Sequence, residues 1–178
     1  MGKAIGAKLG LPGQVLYGDS AFGDMYVERT LTPAQQGRVI QEAVAAYRAH
    51  PQVEAVFTKD QLARTPMPVA TPDKWSLIER ARASFDATRS GDFLVLLKRH
   101  VTPIADTKVY VATHGSPWDY DRRVPIVFWR KGMTPSASEQ PVETVDIMPT
   151  LAAMVGLAVQ PGSFDGKCLS AAGVACPR

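Results

Sequence analysis

A chain of 178 residues with 46% apolar and 21% charged side chains can bury one ordinary core, and lies far from the low-hydrophobicity composition that keeps chains unfolded. Its 20 Lys and Arg against 17 Asp and Glu leave a net +3 scattered along the sequence, which gives no nucleic-acid-binding patch; Arg122, Arg123, Arg130 and Lys131 flank an apolar run and read as solvation of a strand end. No run approaches the roughly 20 apolar residues of a membrane span, and residues 1–8, basic but interrupted by glycines and Lys8, are not expected to act as a signal peptide.

In chain order, residues 1–31 are glycine-rich and poorly assigned, ending in a short alternating segment, Tyr26-Val27-Glu28-Arg29-Thr30, that suits a strand. A helix follows: Thr32 caps, Pro33 fits the first helical position, and Gln35 completes a Thr-x-x-Gln capping box. Val39, Ile40, Ala43, Val44 and Tyr47 then recur at helical spacing, and His50-Pro51 ends the run because proline disfavours helical backbone in the residue before it. Val53 to Thr58 reads as a strand. Three prolines within 65–72 make an extended connector, after which Asp73 is expected to cap a second helix through about Thr88, with Trp75, Ile78, Ala81 and Phe85 facing inward.

Arg89-Ser90-Gly91-Asp92 breaks that helix. Phe93-Leu94-Val95-Leu96-Leu97 is a continuous apolar run too short for a helix, the pattern of a strand covered on both faces. Residues 109–112 and 124–129 are two further strand candidates. Thr144 precedes an apolar helical stripe of Val145, Met148, Leu151, Ala152 and Val155, which Gly156 terminates. The alternation predicts an α/β fold in one domain over 1–178, with 164–178 a tail. Cys168 and Cys176 lie close together in that tail; a short-loop disulfide is the favoured reading, with two free thiols or a metal site as alternatives.

Three histidines are candidates for chemistry. His50 sits at a helix C-terminus, where an imidazole complements the dipole, and His100 follows a strand among Lys98 and Arg99 as a solvent-facing residue. His114 comes after the pattern of 109–112 and before Gly115, at the kind of strand edge where α/β sheets collect their sites, yet a lone imidazole makes no metal site. Asp119 and Asp121 read as turn carboxylates that cap backbone or pair with Arg122 and Arg123. Glycine-rich phosphate loops, Gly-x-Ser-x-Gly elbows and Cys-x-x-Cys pairs are absent from the sequence.

Thr113-His114-Gly115-Ser116-Pro117-Trp118-Asp119-Tyr120-Asp121, followed by Val124-Pro125-Ile126-Val127-Phe128, resembles the His-Gly-(Thr/Ser)-Pro-aromatic block of bacterial alkaline phosphatases and type I phosphodiesterases of the alkaline phosphatase superfamily. Val142-Glu143-Thr144-Val145-Asp146-Ile147-Met148-Pro149-Thr150-Leu151-Ala152 resembles that family's closing helix, and Arg89-Ser90-Gly91-Asp92 with Lys98 fits the segment ahead of the first block. The similarity runs from about residue 30 onward. It implies the C-terminal portion of a layered fold with a mainly parallel sheet flanked by helices, the N-terminal half being absent. It also implies a periplasmic or secreted enzyme acting on a small phosphate ester through two zinc ions and a Thr or Ser nucleophile that forms a covalent phosphoenzyme.

By that resemblance His114 is a zinc ligand, and Asp119 and Asp121 are not. The family's nucleophile and its Asp-x-x-x-His and Asp-His ligand pairs have no counterpart upstream of His114, where no Asp has a His at +1 or +4. The chain alone is therefore expected to be inactive and, with apolar strand edges exposed, poorly soluble. A non-catalytic truncated or degenerate module is the alternative.

Overall fold

The computed structural model describes residues 1–18, 22–104, 106, 108–160 and 162–176. Its elements are α1 (Gly2–Lys8), β1 (Leu16–Tyr17), β2 (Gly23–Val27), α2 (Pro33–Arg48), β3 (Val53–Thr58), α3 (Lys59–Arg64), α4 (Leu77–Ala83), β4 (Phe93–Leu97), α5 (Asp119–Arg122) and α6 (Ile147–Met154), with short 3-10 turns at Pro72–Lys74, Thr144–Asp146 and Ser170–Ala172. Two compact units result, one comprising Met1–Pro68 with Trp75–Arg122, the other Val69–Lys74 with Arg123–Arg178.

The first unit is built on a four-stranded sheet ordered β1-β2-β4-β3 in which every neighbouring pair is antiparallel. The expected mainly parallel sheet is thus corrected among the described residues. The reason lies in what the apolar run of β4 encodes. Successive side chains of a strand point to opposite faces. Phe93 and Val95 enter a core with Val39, Ala43, Val44 and Tyr47 of α2, while Leu94 and Leu96 pack with Leu62 of α3 and Ile78 and Ala81 of α4. Coverage on both faces produces the continuous run whichever way the neighbours travel, so the pattern carries burial and not strand direction.

Helix α2 forms where its capping box and stripe require: the Gln35 N–H donates to Thr32 Oγ1 at 3.3 Å, and the Thr32 N–H to Gln35 Oε1 at 2.8 Å. A second box of the same type, Thr58 with Gln61, starts α3 directly off β3. The helix expected over 73–88 is shorter. Asp73 lies in a 3-10 turn, Ser76 and Glu79 form the box that begins α4, and Asp86 collects the Thr88 and Arg89 N–H groups in a turn incompatible with further helix. Hydrogen bonds from the Ser76 hydroxyl and then its N–H hold the Glu79 carboxyl below the usual range. That contribution to the start of α4 is present above the unfolded-state value and fades as pH falls through the folded one.

The break before β4 has a steric function. Asp92 donates its N–H to Met25 O at 2.8 Å, and its carboxylate accepts from Val27 N–H at 2.7 Å and pairs with Arg29 at 2.9 Å. This clamp brings Gly91 so close to β2 that an added Cβ would stand 2.6 Å from Met25 O and 2.7 Å from Met25 N. Gly91→Ala is expected to cost about 1–3 kcal/mol through forced backbone displacement, read as a lower denaturation midpoint with unchanged slope.

Neither 109–112 nor 124–129 is a strand. Val111 is 88% exposed, Val127 81% and Trp129 82%. A strand persists only with a ladder partner, and none pairs with these segments among the described residues.

In the second unit the start of α6 is shifted: Thr144 opens the 3-10 turn, and α6 begins at Ile147. Asp146, 3% exposed, accepts the N–H groups of Glu143 at 3.0 Å and Lys167 at 2.9 Å. Thr150 is fully buried; its hydroxyl donates to Asp146 O at 2.7 Å and accepts from the Leu169 N–H at 3.0 Å. These bonds moor the tail beside α6, next to a Cys168–Cys176 disulfide whose Cα atoms are 5.6 Å apart. No helix among the described residues is long and apolar enough to cross a membrane.

Candidate functional site

The His114 block is irregular backbone that leads into α5. Gly115 has φ +96°, a left-handed conformation that an L side chain would strain, and the chain bends at Pro117 and Trp118 before α5. His114 itself is exposed. From Ser116 on, the block is tightly tied. The Ser116 N–H donates to Asp121 Oδ2 at 2.6 Å, and Trp118 Nε1 donates to Leu97 O, at the end of β4, at 3.0 Å. Ser116 Oγ is buried with no hydrogen-bond partner, a polar group whose burial is uncompensated.

A shallow cleft of about 190 Å³ lies against this turn, lined by Trp75, Leu77, Arg80, Arg99, Trp118 and Asp119. The Arg99 guanidinium stands 5.2 Å from the Trp118 ring and that of Arg122 5.4 Å from the Trp75 ring, both within cation–π range. Arg80 bridges helix and turn through Asp119 Oδ1 at 2.9 Å and Pro117 O at 2.8 Å.

His50 and His100 take no part with His114. His50 follows α2, where its Nδ1 accepts from the Gln52 N–H at 3.3 Å. His100 has φ 62° and stacks on Tyr120 with centroids 5.1 Å apart, while its N–H donates to the Tyr120 hydroxyl at 3.0 Å. Asp119 pairs with Arg80 and at 3.9 Å with Arg122, and Asp121 receives the Ser116 N–H, so both carboxylates serve the turn. Among the described residues no group of three or more His, Cys, Asp or Glu converges on a point that could hold a metal ion. The donors among the described residues therefore do not fit zinc by themselves, since such sites take at least three protein ligands. The arginine and tryptophan cluster escapes sequence reading because its parts lie far apart along the chain: Trp75, expected on an inward helix face, and Trp118, inside the recognisable block, carry separate signals that do not join them.

No protein-family model matches the chain. It is 54% identical over 168 residues to alkaline phosphatase PhoK of a Sphingomonas species, a match covering 93% of this chain and 30% of that protein. Over the part it spans, the chain is alkaline-phosphatase-like. It is also 49% identical over 155 residues to alkaline phosphatase PhoD of Zymomonas mobilis, covering 87% of this chain and 27% of that one. Among solved structures, wild-type alkaline phosphatase PafA superposes with a TM-score of 0.72 at 20% identity, over 96% of this chain and 31% of PafA, and a PafA mutant with 0.71 at 21% identity, over 96% and 32%. Those two likenesses establish the fold. The chain thus spans about 30% of the length of the curated relatives it matches.

Proposed function

We propose that this chain is part of a phosphoric ester hydrolase in which His114 supplies one imidazole to a zinc centre whose remaining ligands, together with the nucleophile, lie outside these 178 residues. The 54% identity to an alkaline phosphatase, extending over the His114 block, carries this reading. Imidazole suits zinc as a neutral donor of borderline softness. The exposure of His114, with its neighbouring carboxylates committed to the turn, fits a donor presented outward. The reading includes a periplasmic or secreted setting, supported by the disulfide, since such bonds persist in oxidising compartments. Phosphomonoesters and phosphodiesters are both within its scope.

Alone, the chain is expected to bind no zinc tightly in calorimetry and to release no p-nitrophenol from p-nitrophenyl phosphate or its bis-ester. Mixed with a polypeptide corresponding to the rest of the Sphingomonas relative, it should form a complex and gain turnover, which His114→Ala lowers at least about tenfold. Steady turnover by the chain alone would overturn the division of the site; a stable complex without turnover would overturn the hydrolase reading. The non-catalytic alternative rests on the missing donor cluster and expects that second outcome.

A further inference from the structure

Arg80 is the group through which α4 reaches the His114 block. Its side chain is only 12% exposed. Nε donates to Trp75 O at 3.0 Å, Nη1 to Pro117 O at 2.8 Å, and Nη2 meets Asp119 Oδ1 at 2.9 Å. One planar fork is thus spent on three acceptors from two segments, the connector entering α4 and the turn containing α5. A lysine, with a single ammonium, cannot reproduce that pattern.

The turn is also tied to His100, whose N–H donates to the Tyr120 hydroxyl at 3.0 Å, to the end of β4, and back to the connector. Trp118 is bonded to the end of β4, and Arg122 lies over Trp75, the residue whose carbonyl Arg80 holds. Since Ser116 is bonded to Asp121, anchoring at Pro117 and Asp119 extends to within two residues of the imidazole, across the single left-handed Gly115. The geometry points to Arg80 as the positioning residue of His114: its guanidinium fixes the turn from which the imidazole is presented. This assignment rests on the functional reading above only for its consequence in catalysis, not for the anchoring itself.

Amide exchange and imidazole NMR of the whole chain test it in Arg80→Lys and Arg80→Ala. The amides of Asp121 and Arg122, which donate to Trp118 O at 3.0 Å, should exchange at least about tenfold faster in both variants, with β3 and β4 amides unchanged. The His114 ring signals should move while those of His50 stay. Unchanged exchange at Asp121 and Arg122 in Arg80→Ala would overturn the inference. So would equal loss of protection across β3 and β4 in Arg80→Lys, which would make Arg80 a general support of the unit. In the reconstituted enzyme Arg80→Lys should lower kcat at least about tenfold with KM within about twofold, and full kcat would overturn the positioning role. Should the wild-type complex itself be silent, the hydrolase reading fails while exchange still decides on the anchor.

Discussion

Replacing Phe93 by alanine is expected to lower the unfolding free energy of the sheet-bearing unit by about 3–5 kcal/mol, the largest effect of any single change considered for this chain. Phe93 is 1% exposed and opens the central strand, where it is opposite both Met25 of β2 and Thr58 of β3. Its ring meets that of Tyr47 with centroids 5.9 Å apart at a 58° tilt, a favourable edge-inclined geometry. Tyr47 in turn donates its hydroxyl to Met25 Sδ at 3.6 Å, and burial raises its pKa. Truncation therefore removes the transfer free energy of a benzyl group and leaves a cavity between α2 and a three-strand junction that backbone hydrogen bonds prevent from closing. Phe93→Leu, which fills most of that volume, should cost less than about 1.5 kcal/mol. The check is the urea midpoint by circular dichroism, whose slope should not change; a loss below about 1 kcal/mol for the alanine variant would show that the core is not closed at this position.

The same strand shows how far the sequence could be read. Its apolar run announced a two-sided strand correctly because burial is written in the side chains of β4 themselves. Strand direction is written in the connections and in β2, whose partner Asp92 lies 65 residues from Val27. Helix α2 was legible to its first residue since Thr32, Pro33 and Gln35 are contiguous signals. The equally explicit Thr58 and Gln61 pair is hidden at the end of a strand pattern. Residues 109–112 and 124–129 have the β-branched and aromatic content of strands, but that content describes a pleated, half-buried setting and cannot create one without a neighbour. At the candidate site, His114 is singled out by its position and by the resemblance of its block, whereas Arg80 stands 37 residues from the carbonyl it holds and has no local signature.

Asp146 offers a second test, in the unit that contains α6. Its carboxyl group accepts two backbone N–H donors, Glu143 just ahead of the helix and Lys167 in the tail, and almost none of the residue reaches solvent. Asp146→Ala would strand both donors in a site with little water, at about 1–3 kcal/mol each, of which relaxation should recover part. A net loss of about 2–3 kcal/mol is expected, read as roughly 30- to 150-fold faster exchange of the α6 amides. Asp146→Asn keeps one acceptor oxygen but places an amide NH₂ where the second donor points, so it should recover at most half of the loss. The tail has little freedom to adapt: a Cβ on Gly166 would collide with the carbonyl of Val145, and Cys168 is fixed to Cys176. The buried carboxyl is therefore the hinge pin between the helix start and the tail, and if Asp146→Ala left α6 protection unchanged, the two segments would have to be held together chiefly by Thr150 and the disulfide.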